Sequence, residues 1–341
     1  MDTTRTINVR SPLRIDFVGM TDYLPACEEF GGSIVNATIN KYIHAVARPR
    51  EDGRFIFHAP DLDGITVEVG SRAELSPDGE LGLAQEITRR FDLPGGVELT
   101  TYSQMPGGAG LGSSSTIATC IIAALNALGD RRLTDHEMAR MAIDCEKVAL
   151  RTSYGWQDQY SPVTGGGVKY MRYWPDGAQR AVEVNQIPLT EAQLAELQRS
   201  LVVCYSGISR PAGTILHAVA DGYRTGRPEV IDALQGMSEL AELMRLRLLE
   251  GRLNDLAPLL SEVWTLHKRL HPDVTNDAIE RLYELALSHG ATGGRVCGAG
   301  GGGTLMFYCP SPADYTVARA LAQAGAQVFD VAIDPCGLIV W

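Results

Sequence analysis

Four glycines within six residues, Gly107, Gly108, Gly110 and Gly112, follow Pro106 and run through Leu111 into Ser113, Ser114 and Ser115, after which the chain is apolar from Ile117 to Leu128. This order constrains the local fold to strand, loop and helix. Glycine permits positive φ and close backbone approach, and serine places hydroxyls beside the free amide N–H groups of a helix start. A helix N-terminus of that composition suits an anion, and phosphate is the obvious one. No GxxxxGK[ST] pattern occurs, so the loop is not that of a P-loop NTPase. The apolar run is too short to span a bilayer.

The composition of the whole 341-residue chain narrows the class. With 45% apolar and 21% charged residues the chain reads as a globular protein of two lobes. A formal net charge of −11 disfavours nucleic acid and anionic membranes as partners, while leaving room for a local cleft that takes a small anion. The seven cysteines form no CxxC pair and are odd in number, which fits scattered thiols in a reducing cytoplasm better than a disulfide framework or a zinc site. The N-terminal segment MDTTRTINVR has no signal-peptide core. The sequence does not distinguish a monomer from a homodimer.

Residues 5 to 69 carry the β-branched stretches TINVR, RIDFV, GSIVNATI, KYIHAVARP, RFIFHAP and GITVEV, so the first third is expected to be mostly sheet. Helices are expected over Leu83 to Phe91 and Asp135 to Leu150, with a strand over Val97 to Tyr102. The segment from Ser153 to Tyr173 reads as a loop returning into a strand. Helical patterns follow at 212–224, 228–250, 254–270 and 275–289, then the loop GGRVCGAGGGG, a strand TLMFYC, a helix at 312–324 and a strand QVFDVAI. The expected fold class is α+β, in two packed lobes spanning 1–190 and 191–341.

Three further features carry chemistry. The run Gly298 to Gly303 formally satisfies GxGxxG, yet it precedes a strand, whereas a dinucleotide-binding fingerprint must open a helix. Close approach to a ligand or to the other lobe accounts for it better than a plain turn. Asp158, within Gly155-Trp156-Gln157-Asp158-Gln159-Tyr160, is either a buried turn residue or the carboxylate that takes a proton from an acceptor hydroxyl during phosphoryl transfer. Arg14 and Asp22 lie in RSPLRIDFVGMTDYLP, Asp22 in a turn suited to gripping hydroxyl groups. Arg210, beside small residues at a helix start, is either a ligand for a phosphate or carboxylate on the acceptor or one side of a surface salt bridge. His267 and His271 in HKRLH lack the glutamate of a zinc-binding HExxH and read as packing or surface residues.

In order, SPLRIDFVGMTDYLP, MPGGAGLGSSST, WQDQY and GGRVCGAGGGGTLMF make the chain resemble the GHMP kinase superfamily over nearly its whole length. FGGSIVNATINKYIHA, GWQDQY and CYSGISRPAGTIL carry a narrower similarity to heptose-phosphate kinases and fucokinase-type sugar kinases. The resemblance implies an N-terminal lobe like ribosomal protein S5 domain 2, a ferredoxin-like C-terminal lobe, and a cleft for ATP, Mg²⁺ and a sugar or sugar phosphate. It implies that Pro106, Gly107, Gly108, Gly110, Leu111, Gly112, Ser113, Ser114 and Ser115 wrap the ATP phosphates. Ser114 and Glu146 would hold Mg²⁺, Asp158 would be the base with Arg14 beside it, and Thr21 and Asp22 would meet sugar hydroxyls. Gly300 and Gly301 would help shape the acceptor pocket. The sequence departs from the family pattern at Met20, where heptose kinases tend to have glycine, and at Arg295, where lysine is common. The implied activity is ATP-dependent phosphorylation of a sugar, at the anomeric hydroxyl of a heptose or heptose 7-phosphate. The rival readings are another hexose, a linear alcohol of the mevalonate or homoserine kind, and a homologue that binds nucleotide or sugar without catalysis.

Overall fold

In the computed structural model, residues 5–129, 131–151, 155–175, 182–209 and 212–341 are described. The chain begins with β1 (Ile7–Val18), α1 (Leu24–Phe30), β2 (Gly32–Arg50), β3 (Phe55–Ala59) and β4 (Ile65–Val69). Next come α2 (Gly82–Arg89), β5 (Gly96–Ser103), α3 (Ser113–Leu128), α4 (Asp135–Ala149), α5 (Gln157–Val163), β6 (Val168–Tyr173) and β7 (Val182–Gln186). The second half contains α6 (Glu191–Ser200), β8 (Leu201–Tyr205), α7 (Ala212–Arg224), α8 (Pro228–Leu249), α9 (Leu256–Leu270) and α10 (Asp277–Ser288). It closes with β9 (Gly293–Val296), β10 (Thr304–Tyr308), α11 (Ala313–Gln323), β11 (Gln327–Phe329) and β12 (Ile339–Val340).

These strands form two sheets, one of order β12-β1-β2-β5-β3-β4 with β6 attached along β2 and β7 along β6, the other of order β11-β8-β10-β9. The fold is α+β. The C-terminal strand β12 pairs with β1, so an assignment of all of 191–341 to the second lobe misses this return to the first sheet.

Several expected elements are longer or differently typed. TINVR and RIDFV form one strand, because β1 absorbs its irregular residues as register shifts between Pro12 and Arg14 and between Asp16 and Val18. GSIVNATI and KYIHAVARP likewise form the single strand β2, held by β1 along its length and by β6 and β5 on successive halves of its other edge. The start of GGRVCGAGGGG is not loop but β9, paired to β10. The WQDQY segment is not loop either: Gln157–Val163 is helical and contains Pro162. It is too short for an apolar period to show.

Helix α3 forms the centre of the first lobe. It packs on β1 and β2 and against α2, α4 and α5, with Ile121, Ile122, Ala124 and Leu125 fully buried. An all-round apolar helix belongs there rather than on a surface. Helix α4 begins with a capping box, in which Thr134 accepts from the Glu137 amide at 3.3 Å and the Glu137 carboxylate accepts from the Thr134 amide at 2.8 Å. Six of the seven cysteines are buried, Cys336 is exposed, and all are free thiols. Among the described residues no helix is long and apolar enough to cross a membrane.

Packing and capping rank differently in energy. Urea denaturation of Ile122→Ala is expected to show a loss of about 2–5 kcal/mol from the emptied core. Thr134→Ala should cost only about 1 kcal/mol, since it removes one cap and leaves the buried face of α4 in place. The opposite ranking would show that α3 is not the packing centre.

Candidate active site between the glycine loops

A cavity of about 330 Å³ opens where the two lobes meet. One wall is the loop that precedes α3, contributing Gly108 to Gly110 and Gly112 to Ser114; the facing loop contributes Gly298 and Ala299. The loops touch backbone to backbone. Gly110 has φ +76°, and a Cβ there would lie 2.7 Å from the Cys297 carbonyl oxygen; Gly298 has φ +68°, and its Cβ would lie 3.0 Å from the Gly110 carbonyl oxygen. Any larger residue would push the loops apart, and both positions also demand the left-handed backbone that glycine adopts without strain.

At the cavity floor Arg14 grips Asp158. The guanidinium donates from Nε to Oδ1 at 2.6 Å and from Nη2 to Oδ2 at 3.0 Å, a bidentate fork. Its third nitrogen, Nη1, donates to the Gly110 carbonyl at 2.6 Å and to Asp16 Oδ1 at 3.2 Å. Burial alone would lower the Arg14 pKa, but the charges of Asp158 and Asp16 outweigh it, and the pKa is raised. The Asp158 side chain remains a quarter exposed, on the cavity side.

Asp158 lies in the first turn of α5, and Asp22 holds that turn in place. Asp22 Oδ2 accepts from the amides of Trp156 at 2.9 Å and Gln157 at 3.0 Å, a helix cap supplied from a distant stretch of chain. Burial pushes the Asp22 carboxyl up to about 6, with the Gln157 amide opposing and the Asp158 charge reinforcing the shift. The other end of α5 is held by the buried Lys169, whose ammonium donates to the carbonyls of Ser161 and Gly165. Burial lowers its pKa to about 7.

Glu146 on α4 reaches the start of α3. Ser114 Oγ donates to its Oε1 at 2.9 Å, Ser115 Oγ lies 3.0 Å from both oxygens, and the Gln159 amide donates to Oε2. Burial pushes this carboxyl up to about 7, against the hydrogen bonds from Gln159, Ser114 and Ser115, which lower it. The Ser113 hydroxyl lines the same cavity and has no protein partner among the described residues.

Other expected site residues take different places. Pro106 and Gly107 lie on the outer part of the loop, Leu111 is buried with its carbonyl accepting from the Arg14 amide at 3.3 Å, and Ser115 turns to Glu146. Thr21 does not reach the cavity wall, because its hydroxyl donates to the Ser33 carbonyl. Gly300 and Gly301 turn away toward the carbonyl of Val274, and the glycine-loop residues at the cavity are Gly298 and Ala299 instead. Arg210 lies outside the described residues. His267 is fully buried against Trp264, and His271 lies beyond the end of α9, where its ring accepts from the Asp273 amide. Among the described residues no group of three His, Cys, Asp or Glu side chains could by itself hold a metal ion.

Several residues on the cavity wall had no assigned role in the sequence, among them Gly155, Gln157, Tyr23, Leu216 and Val219. Gln157 adjoins Asp158 in the motif, which was a usable signal; Leu216 and Val219 come from α7 and carried none. Met20 also lines the cavity, with φ +70°, so a methionine occupies a left-handed position at the turn.

Residues 81–166 match the GHMP kinases N terminal domain, and residues 231–327 match the GHMP kinases C terminal region. A D-glycero-alpha-D-manno-heptose 7-phosphate kinase of Campylobacter jejuni is 31% identical over 99% of each chain. A bifunctional fucokinase/GDP-fucose pyrophosphorylase of Arabidopsis thaliana is 27% identical over 96% of this chain and 32% of its own length. The crystal structure of a D-glycero-D-manno-heptose 1-phosphate kinase from Bacteroides thetaiotaomicron superposes with a TM-score of 0.80 at 27% identity, covering 98% of each chain. With a glycine loop at a helix start, a forked Arg14–Asp158 pair facing it and similarity along its full length, the chain belongs to the GHMP kinase family and is an ATP-dependent kinase.

Proposed function

We propose that this kinase transfers the γ-phosphoryl group of ATP, taken as its magnesium complex, to the anomeric hydroxyl of a heptose or heptose 7-phosphate. The observation that carries the reading is the Arg14–Asp158 fork, which lines one cavity directly beside the glycine loop and the first turn of α3. The Campylobacter relative, named for a heptose 7-phosphate, supports the acceptor. The seven free thiols support a reducing compartment such as the cytoplasm.

The residues divide the work by position. Amides of the loop and of the α3 N-terminus are suited to phosphate oxygens, and the unpartnered Ser113 hydroxyl offers a further donor. Asp158, a quarter exposed at the cavity, takes the acceptor proton, while the Arg14 fork fixes that carboxylate in direction. An anomeric hydroxyl is more acidic than an ordinary alcohol, so a carboxylate is base enough. The outer oxygen of Asp22, not used in capping α5, is placed to accept from a sugar hydroxyl. Ser114 and Glu146 fit a magnesium ion, which takes one or two protein oxygens and fills its shell with phosphate oxygens and waters. Bound there, the ion would neutralise charge developing on the phosphoryl oxygens.

A second reading, a linear alcohol acceptor, draws on one feature: Met20, Tyr23, Leu216 and Val219 give part of the cavity an apolar wall. A panel of free sugars, heptose phosphates, mevalonate and homoserine decides between them, with the product located by ³¹P NMR coupling. An anomeric phosphate on a heptose confirms the proposal, and phosphate on mevalonate or homoserine replaces it.

Asp158→Asn is expected to lower kcat by roughly 10²–10⁴-fold while the nucleotide Kd changes little, measured by steady-state kinetics and titration. Retention of most of the rate would remove Asp158 from proton transfer. Glu146 gives a pH prediction. Its folded pKa of about 7 exceeds the ordinary 4.5, so the folded state holds the proton more tightly and stability from this group falls as pH rises through that interval. Glu146→Gln does not titrate, so its Tm relative to the parent should move in the variant's favour between about pH 5 and about pH 8. A difference flat with pH would show that folding does not raise the pKa of this carboxyl.

A further inference from the structure

Two charged residues outside the cavity wall are fully buried beneath it: Asp16 on β1 and Arg295 on β9, each 0% exposed. Their side chains meet across the seam between the two sheets, Arg295 Nη2 lying 2.9 Å from Asp16 Oδ2. Arg295 is tied further by Nη1 to the Phe17 carbonyl at 3.2 Å and by Nε to the Val296 carbonyl at 3.0 Å. The opposite oxygen of Asp16, Oδ1, accepts from Arg14 Nη1 at 3.2 Å and from the Gly298 amide at 3.0 Å. Arg14 and Asp16 are two residues apart on one strand, which puts both side chains on the same face.

The result is an alternating row of charge, Arg295, Asp16, Arg14, Asp158, that starts in the second sheet and ends at the cavity. Each glycine loop is hydrogen-bonded to this row: Gly298 through its amide to Asp16, and Gly110 through its carbonyl to Arg14. The direction of the Asp158 carboxylate is therefore set by Arg14, and the seat of Arg14 is set in part by a carboxylate that the second lobe holds from behind.

We propose that Asp16 and Arg295 are positioning residues for phosphoryl transfer, coupling the apposition of the two lobes to the aim of Arg14 and Asp158. This inference rests on the kinase reading above. A buried ion pair that only held the lobes together would be replaceable by uncharged side chains with little effect beyond stability, since the desolvation it costs offsets much of its attraction. A positioning pair is not replaceable in that way, because misplacement of a reacting group by about 1 Å lowers the rate by about 10²-fold.

Three variants separate these cases: Asp16→Asn, Arg295→Lys, and the double variant Asp16→Asn with Arg295→Met. Each is compared with the parent for kcat and KM with ATP and D-glycero-D-manno-heptose 7-phosphate, for the Kd of a fluorescent ATP analogue, and for Tm. Asp16→Asn strands a buried arginine and should lose Tm, whereas the double variant removes both charges and should regain most of it. We expect kcat to fall by roughly 10–100-fold in Asp16→Asn and to stay down in the double variant, with nucleotide Kd within about threefold of the parent in both. Arg295→Lys, which keeps the charge but not the nitrogens that hold the Phe17 and Val296 carbonyls, should fall between parent and double variant in kcat. Recovery of kcat together with Tm in the double variant would overturn the proposal, as would a kcat within about threefold of the parent in every variant that folds. If Asp16→Asn does not fold, the double variant and Arg295→Lys carry the same test. A parent that binds the nucleotide analogue but phosphorylates no heptose refutes the substrate reading; the variants are then compared on the acceptor that the panel identifies.

Discussion

An arginine almost wholly removed from water must find a partner for each nitrogen of its guanidinium, and much of the site is arranged around meeting that demand at Arg14. Nε and Nη2 are taken by Asp158, while Nη1 is shared between Asp16 and the carbonyl of Gly110. Losing any one of these leaves a buried charge short of a partner, which is far costlier than losing an exposed one. The Gly110 carbonyl points inward because its residue has a left-handed backbone, and that same backbone brings the loop against Cys297 of the facing loop. The need to satisfy one guanidinium thus fixes the glycine loop, the Asp158 carboxylate and the contact between lobes together.

Neither lobe contains the site alone. The first supplies Arg14, Asp22, Asp158 and the loop before α3, and the second supplies the Gly298 loop and Arg295. A second polar tie joins the lobes elsewhere, where Glu242 on α8 accepts from Ser33 at 3.0 Å, from Arg172 at 3.2 Å and from the Tyr170 hydroxyl. Burial raises the Tyr170 pKa to about 12, so its proton stays in place as donor through the neutral range. With contacts at two separated points, the lobes resist rotation about either one. That matters because the cavity wall is built from both.

What could be read in the sequence was whatever is encoded locally. The strand, glycine loop and helix around Pro106–Ser115 follow from composition alone, and the long helices of the second half follow from period. The helix bearing Asp158 did not, since its seven residues include Pro162 and its N-terminal amides are capped by Asp22, 134 residues earlier. Gly300 and Gly301 illustrate the converse: glycine content marked the loop, but which glycines face a ligand depends on packing against Val274. Asp16 sits inside a motif that was read for Arg14 and Asp22, yet its role arises from Arg295, which reaches it across the seam between the lobes. Motifs reveal residue types at a site; contacts between distant segments decide what each residue does there.

A chain of net charge −11 that takes ATP faces an electrostatic difficulty, and the site shows where it lies. Among the described residues Arg14 is the cation in the cavity wall, and its charge is already balanced by Asp158 and Asp16. The raised pKa of Asp22 at about 6 and of Glu146 at about 7 arises chiefly from burial, with the charge of Asp158 adding to both, so the local field is if anything negative. Among the described residues, attraction for phosphate then rests on partial charges, the loop amides and the α3 N-terminus, which amount to only about half an elementary charge. That is little against the charge of a free nucleotide triphosphate. A nucleotide already paired with a divalent cation carries less negative charge, and so the same acidic surroundings that oppose free ATP oppose its metal complex less.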